Sequence, residues 1–220
     1  MMKHQIFPAL DKPLKRVDFM KKYGTAVILA GGKSKRMGKN KELLNINNRR
    51  LVEMQISKLE RDFEDIIVIT NYPQYYHGLN CRTFTDIIKN KGPIGGIYTG
   101  LVNSSSLHTY FLACDMPVIN IEYIKFLKNN LKKKKYKACI TLLGEWIEPF
   151  NAFYSKEMIE DVKNYINEGG HSVHKLVKNL NVLFIEEKKA RKFSPNWDMF
   201  INFNTKEDVE SFLKENEMKI

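Results

Sequence analysis

The 220-residue chain has little cysteine, and Cys81, Cys114 and Cys139 stand far apart with no CxxC. An odd, scattered count argues against a disulfide framework. It predicts buried thiols in a reducing compartment. Zinc is disfavoured too, because His171 and His174 have no nearby cysteine pair to complete four ligands. Long apolar runs are also missing. No stretch approaches the roughly 18 to 20 apolar residues of a membrane span, and residues 1–24 lack the apolar centre of a signal peptide. The expectation is a cytoplasmic protein with no membrane partner. Internal repeats and low-complexity linkers are absent. One domain over 25–220, preceded by an extension over 1–24, is the economical organisation.

Charge is lopsided: 36 Lys and Arg against 25 Asp and Glu leave a formal net charge of +11. A nucleic-acid partner is one reading of that excess. The aromatic-basic interleaving of an RNA-recognition motif is absent, however, which argues against nucleic acid. The longest basic run, Lys132 to Lys135, follows a helical pattern and reads as a solvated helix end. The same field suits an anionic small-molecule substrate through steering.

What is present is strand-helix alternation. TAVILA (25–30) is an apolar run stopped by Gly31-Gly32, which predicts a buried strand. Val52, Ile56, Leu59 and Phe63 recur at helical spacing. IIVIT (66–70) predicts a second buried strand. A short strand near 81–85 and a Gly-Pro loop at 92–96 opening a helix follow. TYFLAC (109–114) predicts a third buried strand, and Asn120 caps a helix carrying Ile121, Ile124, Leu127 and Leu131. Further strands are expected at 137–142, 150–154, 182–186 and 200–203. Helices are expected near 156–167, after Ser172, and after Thr205, whose spacing to Asp208 is that of a capping box. Such alternation means an α/β domain with a mostly parallel sheet covered on both faces.

The sharpest local signal is LAGGKSKRMGKNK, Leu29 to Lys41, directly after the first strand. It is not a Walker A loop: Lys33 occupies the required glycine position and Asn40 replaces the hydroxyl. Nor do Gly31, Gly32 and Gly38 have the spacing of a dinucleotide fingerprint. The chemistry still favours phosphate. Gly31 and Gly32 permit close backbone approach and inward N–H groups. Ser34 adds a donor, and Arg36 and Lys41 offset triphosphate charge. On these features alone, a basic surface turn remains the alternative.

Four strings in order make the chain similar to the molybdenum cofactor guanylyltransferases, the MobA-like family of glycine-rich-loop nucleotidyltransferases. They are Leu29-Ala30-Gly31-Gly32 with Ser34, Arg36-Met37-Gly38 and Lys41; Gly92-Pro93-Ile94-Gly95-Gly96; Phe111 to Pro117 ending in Asp-Met-Pro; and Asn202-Phe203-Asn204-Thr205. The resemblance implies a three-layer, Rossmann-like nucleotidyltransferase fold. It implies GTP and a molybdopterin-type acceptor as substrates, Mg²⁺ as cofactor and pyrophosphate as product. It makes Leu29, Ala30, Gly31, Asn71, Asp86 and Asp115 nucleotide contacts, Lys41 the lysine on the phosphates, and Asp115 the metal ligand. With Gly32 and Ser34 these form the expected nucleotide site, and Arg36, Lys41 and Asp115 the expected catalytic set. A related cytidylyltransferase, a sugar-phosphate nucleotidyltransferase and a non-catalytic homologue are the alternatives. Leu-Ala-Gly-Gly, rather than Ala-Ala-Gly, favours the guanylyl branch within the family.

The chain departs from the family in three places. Residues 1–24 have no counterpart, Asn40 stands where an aspartate often precedes the lysine, and GEWIEPFN (144–151) follows the pattern only loosely. Asn204 is equally readable as a site residue or as a strand-end turn. Ser172 reads as a helix cap, and His171 and His174 as surface or packing residues.

Overall fold

A computed structural model describes residues 22–31, 41–132 and 134–217. In chain order its regular elements are β1 (Thr25–Leu29), β2 (Asn45–Ile46), β3 (Arg49–Arg50), α1 (Leu51–Leu59), β4 (Asp65–Ile69), β5 (Arg82–Phe84), α2 (Pro93–Asn103) and β6 (His108–Ala113). There follow α3 (Ile121–Leu131), β7 (Ala138–Leu143), β8 (Trp146–Ser155), α4 (Ile159–Asn167), α5 (Val173–Lys178), β9 (Val182–Ile185), α6 (Glu187–Ala190) and α7 (Lys206–Glu217). Strands β2 and β3 form a small antiparallel hairpin. Its turn residues, Asn47 and Asn48, both have positive φ, as a tight right-twisted hairpin requires.

The seven-stranded sheet has the order β5-β4-β1-β6-β8-β7-β9. Strand β8 runs antiparallel to both neighbours, β6 and β7, while the other pairings are parallel. Period-2 alternation divides the strand side chains between two cores. Ala26 and Ile28 of β1 face one side, with Val52, Ile56 and Leu59 of α1 and Tyr123, Ile124 and Leu127 of α3. Val27 faces the other, with Ile94, Ile97 and Leu101 of α2, Val162 and Ile166 of α4, and Val177 of α5. The result is the expected three-layer α/β architecture. Val27 and Ile28 are fully buried, and each such side chain contributes about 1.5–3 kcal/mol.

Most expected elements are present to within a residue or two. Asn120 caps α3 by accepting from the Tyr123 N–H at 3.0 Å. Ser172 caps α5 through the Lys175 N–H. The helix expected near 156–167 opens as a 3₁₀ turn, Lys156–Met158, capped by Ser155. Phe63 lies beyond the end of α1 but still joins the core.

One expected strand does not form. Phe200 ends a 3₁₀ turn, Asp198–Phe200, and residues 201–203 are irregular. Their backbone groups have other partners: Phe200 O accepts from Asn202 Nδ2, and Phe203 N donates to Asp115 O. No sheet edge is left for them there. Of the N-terminal extension, residues 1–21 lie outside the described residues. Tyr23 packs edge-on against Phe153, and Gly24 N donates to Ser106 Oγ.

The sheet topology prepares the site. From β1 the chain moves outward to β4 and β5, then returns through α2 to β6 on the opposite side of β1. The carboxyl ends of β1 and β6 therefore flank a topological switch point, where open α/β sheets bind ligands.

Candidate functional site

At the switch point the backbone is tightly tied. Leu29 O accepts from Cys114 N at 3.0 Å, which locks the end of β1 to the end of β6. Ala30 N and Gly31 N both donate to Ile69 O, at 2.9 and 3.0 Å. The Gly31 N–H is therefore engaged by β4, where the sequence suggested an inward-facing donor. What Gly31 supplies is space. A β-carbon there would lie 3.8 Å from Asn71 Nδ2 and 4.0 Å from Asp86 Oδ2. Gly31, Asn71 and Asp86, expected from separate parts of the sequence, thus meet on one side of the cleft.

Asp86 stands just beyond β5 with a buried Oδ1 that has no hydrogen-bond partner. Burial raises its carboxyl above the usual range. An unmatched buried acceptor costs roughly 1–3 kcal/mol, which a ligand donor would offset. Helix α2 arrives next to it, opening with Gly92 at φ 59 and Pro93 in its first turn. Gly96 lies so close to β1 that a β-carbon would come within 2.9 Å of Leu29 Cδ2. The Gly-Pro-Ile-Gly-Gly string therefore seats a helix against the strand that carries the glycine-rich loop.

On the opposite side, Lys41 begins a 3₁₀ turn, Lys41–Leu43. Its Nζ donates to Asp115 Oδ2 at 2.6 Å and to Asn204 Oδ1 at 2.9 Å. Side-chain exposure is 21% for Lys41 and 14% for Asp115, so the pair sits in a recess open to ligand. The other oxygen of Asp115, Oδ1, is buried without a hydrogen-bond partner. Its rigid setting comes from β6 and from Phe203 N, which donates to Asp115 O at 2.8 Å.

Asn204 was only half legible in the sequence. Asp208 Oδ2 accepts from Asn204 N at 2.7 Å and Thr205 N at 2.8 Å, and Asp208 N donates to Thr205 Oγ1. These backbone donors hold the Asp208 carboxyl below its usual range. The capping box thus fixes the start of α7 and with it the approach of Asn204 to Lys41. The Asn-Phe-Asn-Thr string was the available signal. Gly32, Ser34 and Arg36 lie outside the described residues.

Among the described residues, no group of three or more His, Cys, Asp or Glu is placed to hold a metal ion. A magnesium ion does not require one, since it keeps several waters and takes one or two carboxylates plus substrate phosphates. The unmatched Asp115 Oδ1 fits such a single-carboxylate anchor. Among the described residues no helix is long and apolar enough to cross a membrane. Cys114 and Cys139 are buried as expected, whereas Cys81 is half-buried, and burial pushes the Cys139 thiol up to about 12.

Residues 26–183 match the MobA-like NTP transferase domain. The chain belongs to that family. It is therefore a nucleotidyltransferase. It is 44% identical over 194 residues to the molybdenum cofactor guanylyltransferase of Syntrophotalea carbinolica, covering 88% of this chain and 92% of that one. It is 42% identical to a probable molybdenum cofactor guanylyltransferase of Peptoclostridium acidaminophilum, covering 90% and 92%. The crystal structure of molybdopterin-guanine dinucleotide biosynthesis protein A from Archaeoglobus fulgidus superposes with a TM-score of 0.76 at 24% identity, over 89% of this chain and all of that one. That likeness supports the fold.

Proposed function

We propose that this nucleotidyltransferase transfers GMP from GTP to the terminal phosphate of a molybdopterin-type acceptor, with Mg²⁺, and releases pyrophosphate. The observation that carries it is the Lys41–Asp115 pair across the switch point, with the second Asp115 oxygen left unmatched. The 44%-identical relative, a molybdenum cofactor guanylyltransferase, supports the choice of nucleotide and acceptor.

In this scheme an oxygen of the acceptor phosphate attacks the α-phosphorus of GTP. The bond between that phosphorus and its bridging oxygen to the β-phosphate breaks, and the electron pair leaves on pyrophosphate. The attacking phosphate is already ionised, so no general base is needed. Catalysis rests on positioning and charge stabilisation. Asn71 and Asp86 hold the nucleoside end beside Gly31. Lys41 moves its hydrogen bonds from Asp115 and Asn204 toward the phosphates and stabilises the charge that builds on the leaving group. Arg36, five residues before Lys41 in the sequence, would add a second cation. Asp115 would hold Mg²⁺ through Oδ1. When bound, the ion would neutralise phosphate charge.

The test is pyrophosphate release measured with GTP, CTP and UTP, each with and without molybdopterin. Release with GTP that depends on both acceptor and Mg²⁺ is expected. Turnover with CTP in preference to GTP would replace guanylyl with cytidylyl transfer.

A further inference from the structure

Glu42, the residue after Lys41, is an acid that the proposed chemistry does not use, yet it is 2% exposed. A 3₁₀ turn has three residues per turn, so neighbouring side chains point about 120° apart. Lys41 thus reaches the cleft while Glu42 turns into the interior. Its Oε2 accepts from two hydroxyls, Thr70 Oγ1 at 2.5 Å and Tyr76 Oη at 2.9 Å. Both donors are buried. Burial first, then the Glu42 carboxylate, hold the Tyr76 phenol well above its usual range, so it remains a donor.

Thr70 connects this carboxylate to the other side of the cleft. Its N–H donates to Phe84 O at 2.8 Å, which ties it to β5. Its hydroxyl accepts from Tyr72 N at 2.9 Å, closing the turn over Asn71. One buried carboxylate therefore joins the turn that starts at Lys41 to the turn that carries Asn71. Hydrogen bonds to a charged acceptor are short and about twice as strong as neutral ones, so the joint is stiff.

We propose that Glu42 is a positioning residue that holds the Lys41 ammonium and the Asn71 side chain at a fixed separation, so that one nucleoside triphosphate engages both ends of the cleft at once. The assignment rests on the nucleotide reading of the cleft given above. Its signature is a loss confined to the ligand that spans both ends. A ligand that touches one end does not sense their separation. A spanning ligand does, as two linked binding events depend on the geometry between them.

Calorimetric titration of the full chain with GTP, guanosine and inorganic pyrophosphate separates the cases. Glu42→Ala is expected to weaken GTP about 10- to 100-fold, the scale of an ångström-level misplacement. Guanosine and pyrophosphate should each change less than about threefold, within the scatter of a lost indirect contact. Glu42→Gln keeps an acceptor oxygen for Thr70 and Tyr76 and should restore most of the GTP affinity. Tyr76→Phe removes one donor with little change of shape and should give an intermediate loss, again for GTP alone. It carries the test if Glu42→Ala does not fold. GTP affinity unchanged in both Glu42→Ala and Tyr76→Phe would overturn the assignment. So would an equal fall for all three ligands, which is the mark of a merely structural residue. Wild-type protein that takes up none of the three would instead remove the nucleotide reading itself.

Discussion

The two halves of the sheet are built differently. On the β5-β4-β1-β6 side every pairing is parallel, and each strand ends at the cleft. Ligand-facing groups there sit on or just past strand ends whose positions the backbone dictates. On the β8-β7-β9 side the antiparallel β8 breaks the pattern. Its register against β7 jumps between Cys139↔Phe153 and Thr141↔Glu148. Asn151 sits in the irregularity at φ 55, fully buried. Its Oδ1 accepts from Tyr110 Oη at 2.6 Å and its Nδ2 donates to Met199 O. Glu148 is half-buried, with Trp197 Nε1 as its donor at 3.2 Å, and burial raises its carboxyl. On the proposed function, the regular strand ends would hold the nucleoside triphosphate, and the individually placed side chains of the bulged strand would face the acceptor.

The contrast can be broken by experiment, beginning with the largest effect. Asp115→Ala should lower Mg²⁺-dependent turnover by roughly 10²- to 10³-fold, the usual worth of a preorganised charge contact, while the melting temperature stays close to wild type. Lys41→Ala should weaken GTP binding and slow turnover together. Turnover close to wild type in Asp115→Ala, read by pyrophosphate release, would remove the metal assignment.

Asn151→Ala should do the reverse. Ala tolerates positive φ less well than Asn, and its lack of an acceptor leaves the Tyr110 hydroxyl unmatched, a combined cost of about 2–4 kcal/mol. Urea unfolding should report that loss while GTP affinity remains near wild type. Equal loss of GTP affinity would show that the two halves are not separable. The smallest effect is at Trp146, which is 73% exposed at the start of β8 and meets His174 edge-on. Trp146→Ala should change unfolding free energy by no more than about 0.5 kcal/mol. A larger loss would mean the hairpin tip is part of the core.

The same division explains what could be read from the sequence. TAVILA, IIVIT and TYFLAC are continuous apolar runs because their strands are buried on both faces, so these strands were visible. Asp115 and Lys41 were visible because short strings at strand ends carry them, and the structure joins them at 2.6 Å. The strand expected at 200–203 failed because apolar, β-prone residues do not reveal whether a sheet edge is free to receive them. Asn204 was ambiguous for a related reason: the local Asp208 cap was legible, but the approach to Lys41 also depends on Phe203 N on Asp115 O, a contact across a long sequence separation. Glu42 gave no signal, since an acid beside a lysine near a basic loop resembles any surface pair. Only its burial against Thr70 and Tyr76 distinguishes it.

Lys41 bonds to Asp115, 74 residues further on, and to Asn204, 163 residues further on. A ribosome therefore delivers the lysine and the aspartate well before the asparagine that steadies them. The nascent chain can fold its parallel strands while the recess is still unfinished, and the recess closes only as the start of α7 emerges. A chain cut after residue 183, where the match to the family domain ends, would lose both the Phe203 N–H that steadies Asp115 and the amide that holds the ammonium from the far side.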